Sequence, residues 1–205
     1  MYIKKILINK SMRRINMYSK IRNYNDLMID MEKVFKQIKS STIVLIDLDH
    51  FHKNKIEHEE DKLIETIYNF FIENLAINCH YLGKDEFCII FEGMSLENVI
   101  GKIFEIKSLF LNTMNMTFSA SIAEYPKHGE DYVEILRNLE ESLFQSKQNG
   151  RNNISIVDVP KMKLKSNYYS PIQLSRLNNL SKKLNRSEAS LLRESLDEII
   201  RKYEL

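Results

Sequence analysis

Two short acidic motifs in the first half of this chain are the residues best suited to chemistry. Asp47–Phe51 closes an apolar run, and Leu82–Phe87 holds Asp85 and Glu86 at a glycine-containing turn that opens another run. Carboxylate oxygens that converge in this way suit Mg²⁺, whose remaining ligands are waters and nucleotide phosphates. The sequence therefore predicts a metal site at Asp47 and Asp85 that serves phosphate chemistry.

A pair of basic residues further along the chain has the charge that such a site needs. Lys147 and Arg151 stand at the end of a predicted helix that Asn149 and Gly150 terminate. Ammonium and guanidinium groups bind phosphate oxygens through charge-assisted hydrogen bonds. Each residue taken alone is ordinary surface charge, and it is their combination with the carboxylates that indicates a nucleotide site.

Hydrophobic periodicity defines the elements that must position these residues. Strands are predicted at 41–46, 77–82, 86–91, 117–123 and 154–157, and helices near 63–71, 96–111 and 133–147. A further helix is predicted before the first strand by an amphipathic stripe of Leu27, Met31, Val34 and Ile38. The order βαββαβαβ predicts an α/β fold with a mostly antiparallel central sheet and helices on one face. Such a fold places the end of the first strand beside the turn at Gly83 and Lys84.

Composition restricts the class of protein. Apolar residues make up 43% of the 205-residue chain, which is enough for a substantial core. The net charge is only +2, yet residues 160–205 carry ten basic and five acidic residues, so the positive charge lies at the C-terminal end. No apolar run reaches the roughly 18 residues of a membrane span, so a cytoplasmic protein with no membrane partner is expected. Cys79 and Cys88 flank the Gly83 turn and are expected to be free thiols in a reducing compartment.

Residues from about 19 to 157 resemble a GGDEF domain, the palm-type fold of diguanylate cyclases. The resemblance rests on four stretches that occur in the family's order: Asp47–Phe51, Gly83–Phe87, Thr117–Pro126 and Leu143–Asn152. It implies Mg²⁺ as the cofactor and GTP or cyclic di-GMP as the ligand. The implied roles are metal ligation by Asp47, Asp85 and the Leu48 carbonyl, catalysis by Asp85 and Glu86 in an active domain, and nucleotide binding by Phe51, Asn54, Lys147 and Arg151.

Several positions depart from the family's pattern. The second glycine of the turn motif is Lys84, whose side chain takes the space for close approach of a ligand. If the turn needs a positive φ at this position, the lysine backbone would also be strained. Asn54 and Asp61, the candidates for reading the guanine edge, each lie one position out of register, and Ser121 replaces a strand glycine. The product-inhibition motif Arg-x-x-Asp is absent at 74–77. The metal and phosphate elements are thus predicted to be kept, and base recognition to be weakened.

The segment after the acidic domain has a different character. Met162–Tyr169 alternates weakly and predicts a strand, Ser170–Pro171 begins a first helix, and a second helix follows a turn at Asn185. This arrangement resembles a ribbon-helix-helix DNA-binding domain at 160–205, next to the GGDEF-like domain at 1–159. A strand and two helices in about forty residues cannot bury a core alone, so a homodimer is expected.

The second resemblance implies a way of binding DNA. Two copies pair their strands into a ribbon that enters the major groove, where Lys165, Asn167 and Tyr169 face the DNA. Arg186 and Ser187, at the start of the second helix, are expected to bind a phosphate. The alternative is a helical hairpin that serves dimerisation only.

Three functional hypotheses follow. The leading one is a dimeric DNA-binding transcriptional regulator whose degenerate, non-catalytic GGDEF domain senses a nucleotide or cyclic di-GMP. The alternative is an active diguanylate or other nucleotidyl cyclase that forms a cyclic dinucleotide from two nucleoside triphosphates with Mg²⁺. In the third, both parts are oligomerisation modules without a ligand. Lys84 is the residue that separates the first two hypotheses.

Overall fold

The computed structural model describes residues 21–37, 40–51, 60–75, 78–158 and 165–203. The chain divides into two compact units, Met1–Asp158 and Val159–Leu205. The predicted boundary, between residues 159 and 160, lies one residue further along the chain. None of the helices within the described ranges is long and apolar enough to cross a membrane.

The first unit contains the predicted order of strands and helices. Its elements are α1 (Tyr24–Gln37), β1 (Ser41–Leu48), α2 (Glu60–Leu75), β2 (Asn78–Gly83), β3 (Glu86–Glu92), α3 (Leu96–Met114), β4 (Phe118–Tyr125), α4 (Tyr132–Gln148) and β5 (Ile154–Ile156). The stripe predicted for α1 buries Leu27, Met31 and Val34, while Ile38 lies outside the described residues. Asp47 belongs to β1 itself and does not follow it.

The five strands form one sheet in the order β2-β3-β1-β4-β5. β1 is central and pairs antiparallel with both β3 and β4, whereas β5 pairs parallel with β4. All eight residues of β1 are buried, as expected for a β-branched apolar run covered on both faces. The predicted mostly antiparallel sheet is therefore confirmed, with one parallel edge pair.

The prediction of helices on one face of the sheet is wrong, because two apolar cores lie on opposite faces. Val44 and Ile46 of β1 belong to a core with residues of α2 and α3. Ile43 and Leu45, which alternate with them, belong to a second core with residues of α1 and α4. A central strand that is apolar on both sides needs cover on both sides, and helices supply it.

The first of these cores is organised around the ring of Phe71. Its centroid lies 5.4 Å from that of Phe87, 5.7 Å from Phe110 and 6.0 Å from Phe118. These contacts join α2 to β3, α3 and β4, and Phe71 is fully buried. Such aromatic clusters contribute by area burial and by their offset and edge-to-face geometry.

The two cysteines are free and buried. In the β2–β3 hairpin Cys79 pairs with Ile89, and Cys88 pairs with His80. Cys79 belongs to the first core and Cys88 to the second, so the two thiols lie on opposite faces of the sheet. Burial raises the pKa of both thiols, which makes them unreactive packing residues.

The second unit contains two helices, α5 (Pro171–Leu184) and α6 (Glu188–Tyr203). A capping box of Ser170 with Gln173 begins α5, and Asn185 ends it in the left-handed conformation at φ 52° and ψ 46°. The predicted strand at 162–169 is not present in its described part, since 165–170 has no regular structure. A lone ribbon strand in a single chain has no partner for its backbone hydrogen bonds, which accounts for the difference.

Phe71→Ala is expected to lower the free energy of unfolding by about 3–5 kcal/mol, because it removes a ring that packs against those of β3, α3 and β4 and leaves a cavity. Urea unfolding followed by circular dichroism measures this loss. Phe144→Ala is the control, since that ring on α4 is 62% exposed. Equal losses for the two variants would contradict the described core.

Candidate metal and nucleotide site

Strand pairing brings the two acidic motifs together at one end of the sheet. Asp47 pairs with Glu86 of β3 on one side and with Ser119 of β4 on the other. The backbone N–H of Leu48 donates to the carbonyl of Asp85 at 2.9 Å. The predicted proximity of Asp47 and the Asp85 turn is thus present, and it depends on the register of β1 with β3.

Asp47 is the most perturbed carboxylate of this site. Its side chain is 2% exposed, and its Oδ2 accepts a hydrogen bond from the Lys147 ammonium. Its Oδ1 is buried with no hydrogen-bond partner among the residues that the structure describes. Burial raises the pKa of Asp47 to about 6, with Asp85 and Glu86 adding to the rise and Lys147 opposing it.

Glu86, the first residue of β3, is half-buried beside Asp47. Burial raises the pKa of Glu86 above its ordinary value, the Lys147 ammonium opposes that rise, and the Asp85 charge adds to it. Three carboxyl groups therefore repel one another here, with one close ammonium as compensation. An added cation would relieve this repulsion.

These residues fit a bound Mg²⁺. A buried carboxylate oxygen without a partner in the described ranges is the expected state of a hard-cation ligand before the ion is bound. No group of three His, Cys, Asp or Glu side chains in those ranges is placed to hold a metal. Mg²⁺ needs fewer protein ligands, because it commonly takes one or two carboxylates and fills its shell with water and phosphate oxygens. Asp47, Asp85 and the Leu48 carbonyl remain the predicted set.

The turn of the second motif forms with lysine in place of glycine. Gly83 has φ 113° and Lys84 has φ 53°, so both adopt left-handed conformations. For lysine this costs about 1–2 kcal/mol, which confirms the predicted strain. The Tyr81 hydroxyl donates to the Lys84 carbonyl at 3.2 Å, and the Lys84 side chain is exposed. Its charge also opposes the rise in the pKa of Glu86.

The two predicted phosphate contacts lie near the end of α4. Lys147 is in its last turn and is engaged with Asp47. Arg151 follows Gly150 and is exposed, with a left-handed φ of 61°. The ammonium of Lys147 thus already lies at the carboxylates, whereas Arg151 presents its side chain at the surface.

Asp49, two residues beyond Asp47, has a different environment. Its carboxylate accepts hydrogen bonds from the Thr117 hydroxyl at 2.9 Å, the Ser119 hydroxyl at 2.8 Å and the Asn152 backbone N–H at 2.9 Å. Sequence reasoning did not assign a role to this residue. The alternation of hydroxyl residues at Thr117 and Ser119 on the facing strand was the available signal.

The remaining predicted nucleotide residues have mixed outcomes. Phe51 is 1% exposed and its side chain belongs to the first core. Asn54 lies outside the described residues. Ser121, at the family's glycine position, is buried and donates to the Leu139 carbonyl at 2.8 Å, which ties β4 to α4.

The predicted DNA contacts belong to the second unit. Lys165, Asn167 and Tyr169 are exposed in the irregular segment before α5. Ser187 directly precedes α6, where its hydroxyl accepts from the backbone N–H of Ser190 at 3.1 Å. The guanidinium of Arg186 binds Glu194 at 2.5 Å and Ser190 at 2.8 Å. The predicted phosphate contacts of Arg186 and Ser187 remain predictions.

Comparison with known proteins identifies the first unit. The family described as "Diguanylate cyclase, GGDEF domain" matches residues 16–153, which is more than half of the chain. The chain belongs to the GGDEF family. A curated relative of this GGDEF protein is the cyclic di-GMP phosphodiesterase NbdA of Pseudomonas aeruginosa, 28% identical over 127 residues. That match covers 56% of this chain and only 16% of the length of NbdA.

Solved structures show the same fold. The active GGEEF domain of a diguanylate cyclase from Vibrio cholerae has a TM-score of 0.60 at 20% identity and covers 67% of this chain and 98% of its own. The GGDEF domain of DgcB from Caulobacter crescentus, in complex with c-di-GMP, has a TM-score of 0.60 at 19% identity and covers 67% and 91%. The GGDEF domain of FimX from Pseudomonas aeruginosa has a TM-score of 0.59 at 16% identity and covers 66% and 94%.

Asp47→Asn is expected to stabilise the metal-free protein. Because the pKa of Asp47 rises from 3.8 to about 6 on folding, the folded state binds the proton more tightly, and stability falls as pH rises through that window. The variant has no such titration, so its free energy of unfolding should exceed that of the wild type by about 1–3 kcal/mol at pH 7, at about 1.4 kcal/mol per pKa unit.

Urea unfolding between pH 4 and 8 in a chelator measures this difference. Glu105→Gln, an exposed acid on α3, is the control and should show no such gain. If Asp47→Asn is no more stable than the wild type at pH 7, the electrostatic description of the site is wrong.

Proposed function

We propose that this GGDEF domain binds a Mg²⁺–nucleoside triphosphate at Asp47 and Asp85 and joins two such nucleotides into a cyclic dinucleotide. The observation that carries the proposal is the buried Oδ1 of Asp47, which has no partner in the described part of the chain and lies in a group of three repelling carboxylates. Such an arrangement is unfavourable for a scaffold and suits a cation site.

The reaction requires two nucleotides, each presented by one domain. The 3′-hydroxyl of each attacks the α-phosphorus of the other, the bond to the leaving pyrophosphate breaks, and the hydroxyl proton passes to a base. Mg²⁺, when bound by Asp47 and Asp85, supplies neutralisation of phosphate charge and lowers the pKa of the attacking hydroxyl. Lys147 and Arg151 bind the triphosphate and orient it, while Glu86 is the residue of the motif assigned to hold a proton.

The form of the turn is compatible with turnover. Lys84 adopts the left-handed backbone that the motif requires, and its side chain is exposed. The left-handed backbone of Lys84 costs about 1–2 kcal/mol of folding free energy, and the turn forms in spite of this cost. Family membership makes GTP the expected substrate. Because Asn54 and Asp61 are each displaced by one position, the preference for guanine is tested directly with all four nucleoside triphosphates.

Purified protein with Mg²⁺ and each of the four nucleoside triphosphates is expected to form a cyclic dinucleotide, with GTP preferred. Asp85→Ala should reduce the rate about 100-fold or more, since a catalytic metal contributes several kcal/mol to transition-state stabilisation. Chromatography with mass detection of the product measures this. Glu105→Ala is the matched control, because it removes an exposed carboxylate from α3.

Absence of product from folded wild-type protein would overturn the cyclase proposal. A rise in melting temperature with Mg²⁺ and nucleotide in that case would favour the sensing alternative, because a bound ligand stabilises the folded state. Product formation that persists in Asp85→Ala would show that another site or a contaminant is responsible.

A second candidate function is suggested by the C-terminal unit. We propose that two copies of residues 160–205 form a homodimer that binds the major groove of DNA as a transcriptional regulator, with cyclic di-GMP or a nucleotide as effector. The supporting observations are the capping box at Ser170, the left-handed Asn185 and the exposed apolar residues of both helices. The apolar set comprises Ile172, Leu174, Leu180, Leu184, Leu196, Ile199, Ile200 and Tyr203.

The charges of this unit support the same candidate. α5 carries Arg176, Lys182 and Lys183 without an acidic residue, so it attracts polyanions. Lys165 and Asn167 precede it and are exposed, with side chains that hydrogen-bond base edges.

Replacing both Lys165 and Asn167 with Ala should abolish sequence selection from a randomised pool of double-stranded DNA, because each lost base contact is worth about 1–3 kcal/mol. Sequencing of the retained DNA measures selection. The matched control replaces Lys102 and Asn98, which are exposed on α3, with Ala. Failure of the wild type to enrich any sequence, or unchanged enrichment by the double variant, would refute this candidate.

A further inference from the structure

We propose that Asp49 is a positioning residue for the triphosphate: its buried carboxylate holds the backbone of 150–153 so that Arg151 meets the phosphate chain. The inference rests on the nucleotide binding proposed above and assigns to Asp49 a role different from that of Asp47. It is carried by the hydrogen bonds of Asp49 and by the backbone conformation of the segment that they hold.

The environment of Asp49 excludes the role of a waiting metal ligand. Its side chain is buried, and Thr117, Ser119 and Asn152 donate to it at 2.8–2.9 Å. A carboxylate has about four acceptor positions, so three are already used. Asp47, by contrast, keeps one buried oxygen without a partner in the described ranges.

The segment after α4 is strained and is held at several points. Gly150, Arg151 and Asn152 have φ values of 118°, 61° and 46°, three left-handed residues in succession. Two of them carry a Cβ and cost about 1–2 kcal/mol each, with asparagine at the low end. Backbone strain of this kind persists only where the surroundings enforce it, and it concentrates at ligand sites.

Three hydrogen bonds enforce it here. The Asn152 N–H donates to Asp49, and the Lys107 ammonium donates to the Asn152 carbonyl. The Ala120 N–H donates to the Asn153 carbonyl at 2.9 Å, which attaches the segment to β4. The side chains that hold the segment are those of Asp49 and Lys107, and only Asp49 is buried. Removing the Asp49 charge should therefore loosen residues 150–153 more than removing Lys107 would.

Arg151 is the residue that gains from this restraint. It directly precedes the clamped Asn152, and its exposed side chain leaves from a left-handed backbone. If the segment relaxed to a right-handed conformation, the direction of the Arg151 side chain would change, while Lys147 in α4 would stay at Asp47. Asp49 thus acts on phosphate binding through Arg151 and not through the metal.

The test is a double-mutant cycle on triphosphate affinity. The probe is Mg²⁺ with 3′-deoxyguanosine triphosphate, which lacks the attacking hydroxyl and is not consumed. Arg151→Ala and Asp49→Asn are each expected to weaken its binding about tenfold, and the double variant should be no weaker than either alone within about twofold. Asn in place of Asp49 removes the charge with little change of volume. Its amide oxygen accepts from the Asn152 N–H more weakly than the carboxylate does, so the clamp is loosened.

Two controls separate this role from a structural one. The affinity of Asp49→Asn for Mn²⁺ without nucleotide should stay within about twofold of the wild type, whereas Asp47→Asn should lose it. Ser121→Ala removes the buried hydrogen bond that Ser121 of β4 donates to the Leu139 carbonyl. This variant should leave triphosphate affinity unchanged. Hydrogen exchange should show faster exchange of the Asn152 amide in Asp49→Asn, with the protection of β1 retained.

Multiplicative losses in the double variant, or unchanged affinity of Asp49→Asn, would overturn this inference and leave the proposed function standing. A folded wild type that does not bind the probe would overturn both. Should Asp49→Asn fail to fold, Lys107→Met removes the other side-chain clamp from a partly exposed position. Lys107→Met should lower the affinity for the probe several-fold in the otherwise wild-type protein. The same change should have no effect when Arg151 is already replaced by Ala, and any other result refutes the proposal.

Discussion

The pairing of β1 with both β3 and β4 determines where every charged group of the site lies. Its register sets Asp47 opposite Glu86 and Ser119, and it brings the Asp85 turn to the end of the strand. A shift by one residue would turn Asp47 to the opposite face of the sheet, away from α4 and Lys147. Because β1 is apolar on both faces, two helical layers are needed, and one of them brings Lys147 to the carboxylates.

The burial that makes β1 a good central strand also creates the electrostatic cost of the site. A carboxylate at the end of a buried strand loses water, and neighbouring negative charges add to the penalty. Lys147 offsets part of it and leaves one oxygen unsatisfied among the described residues. Folding alone would favour a neutral residue at this position, so the presence of Asp47 supports the proposed cation site. The left-handed Lys84 and Arg151 are smaller costs of the same kind.

Much of the fold and part of the site could be predicted from the sequence. The strands and helices were recognisable because their apolar periodicities are strong, and Asp85 was recognisable beside its glycine turn. The second helical layer was not, since a continuous apolar run does not say what covers it. Asp47 and Asp49 cannot be distinguished from the sequence. Only the structure shows that Asp49 accepts a hydrogen bond from Ser119 of β4, whereas Oδ1 of Asp47 has no partner among the described residues. The contact of Arg186 with Glu194 of α6 is likewise not revealed by spacing alone.

The ion pair between Lys147 and Asp47 has a thermodynamic consequence. A metal ion and the ammonium compete for one negative charge, while the triphosphate attracts both of them. A metal ion that takes the carboxylate frees Lys147 for phosphate, and phosphate that takes Lys147 frees the carboxylate for the metal. In the proposed nucleotide site, metal and triphosphate would therefore promote each other's binding by the same factor, as linkage requires. Each ion is then expected to bind more weakly alone than in the presence of the other.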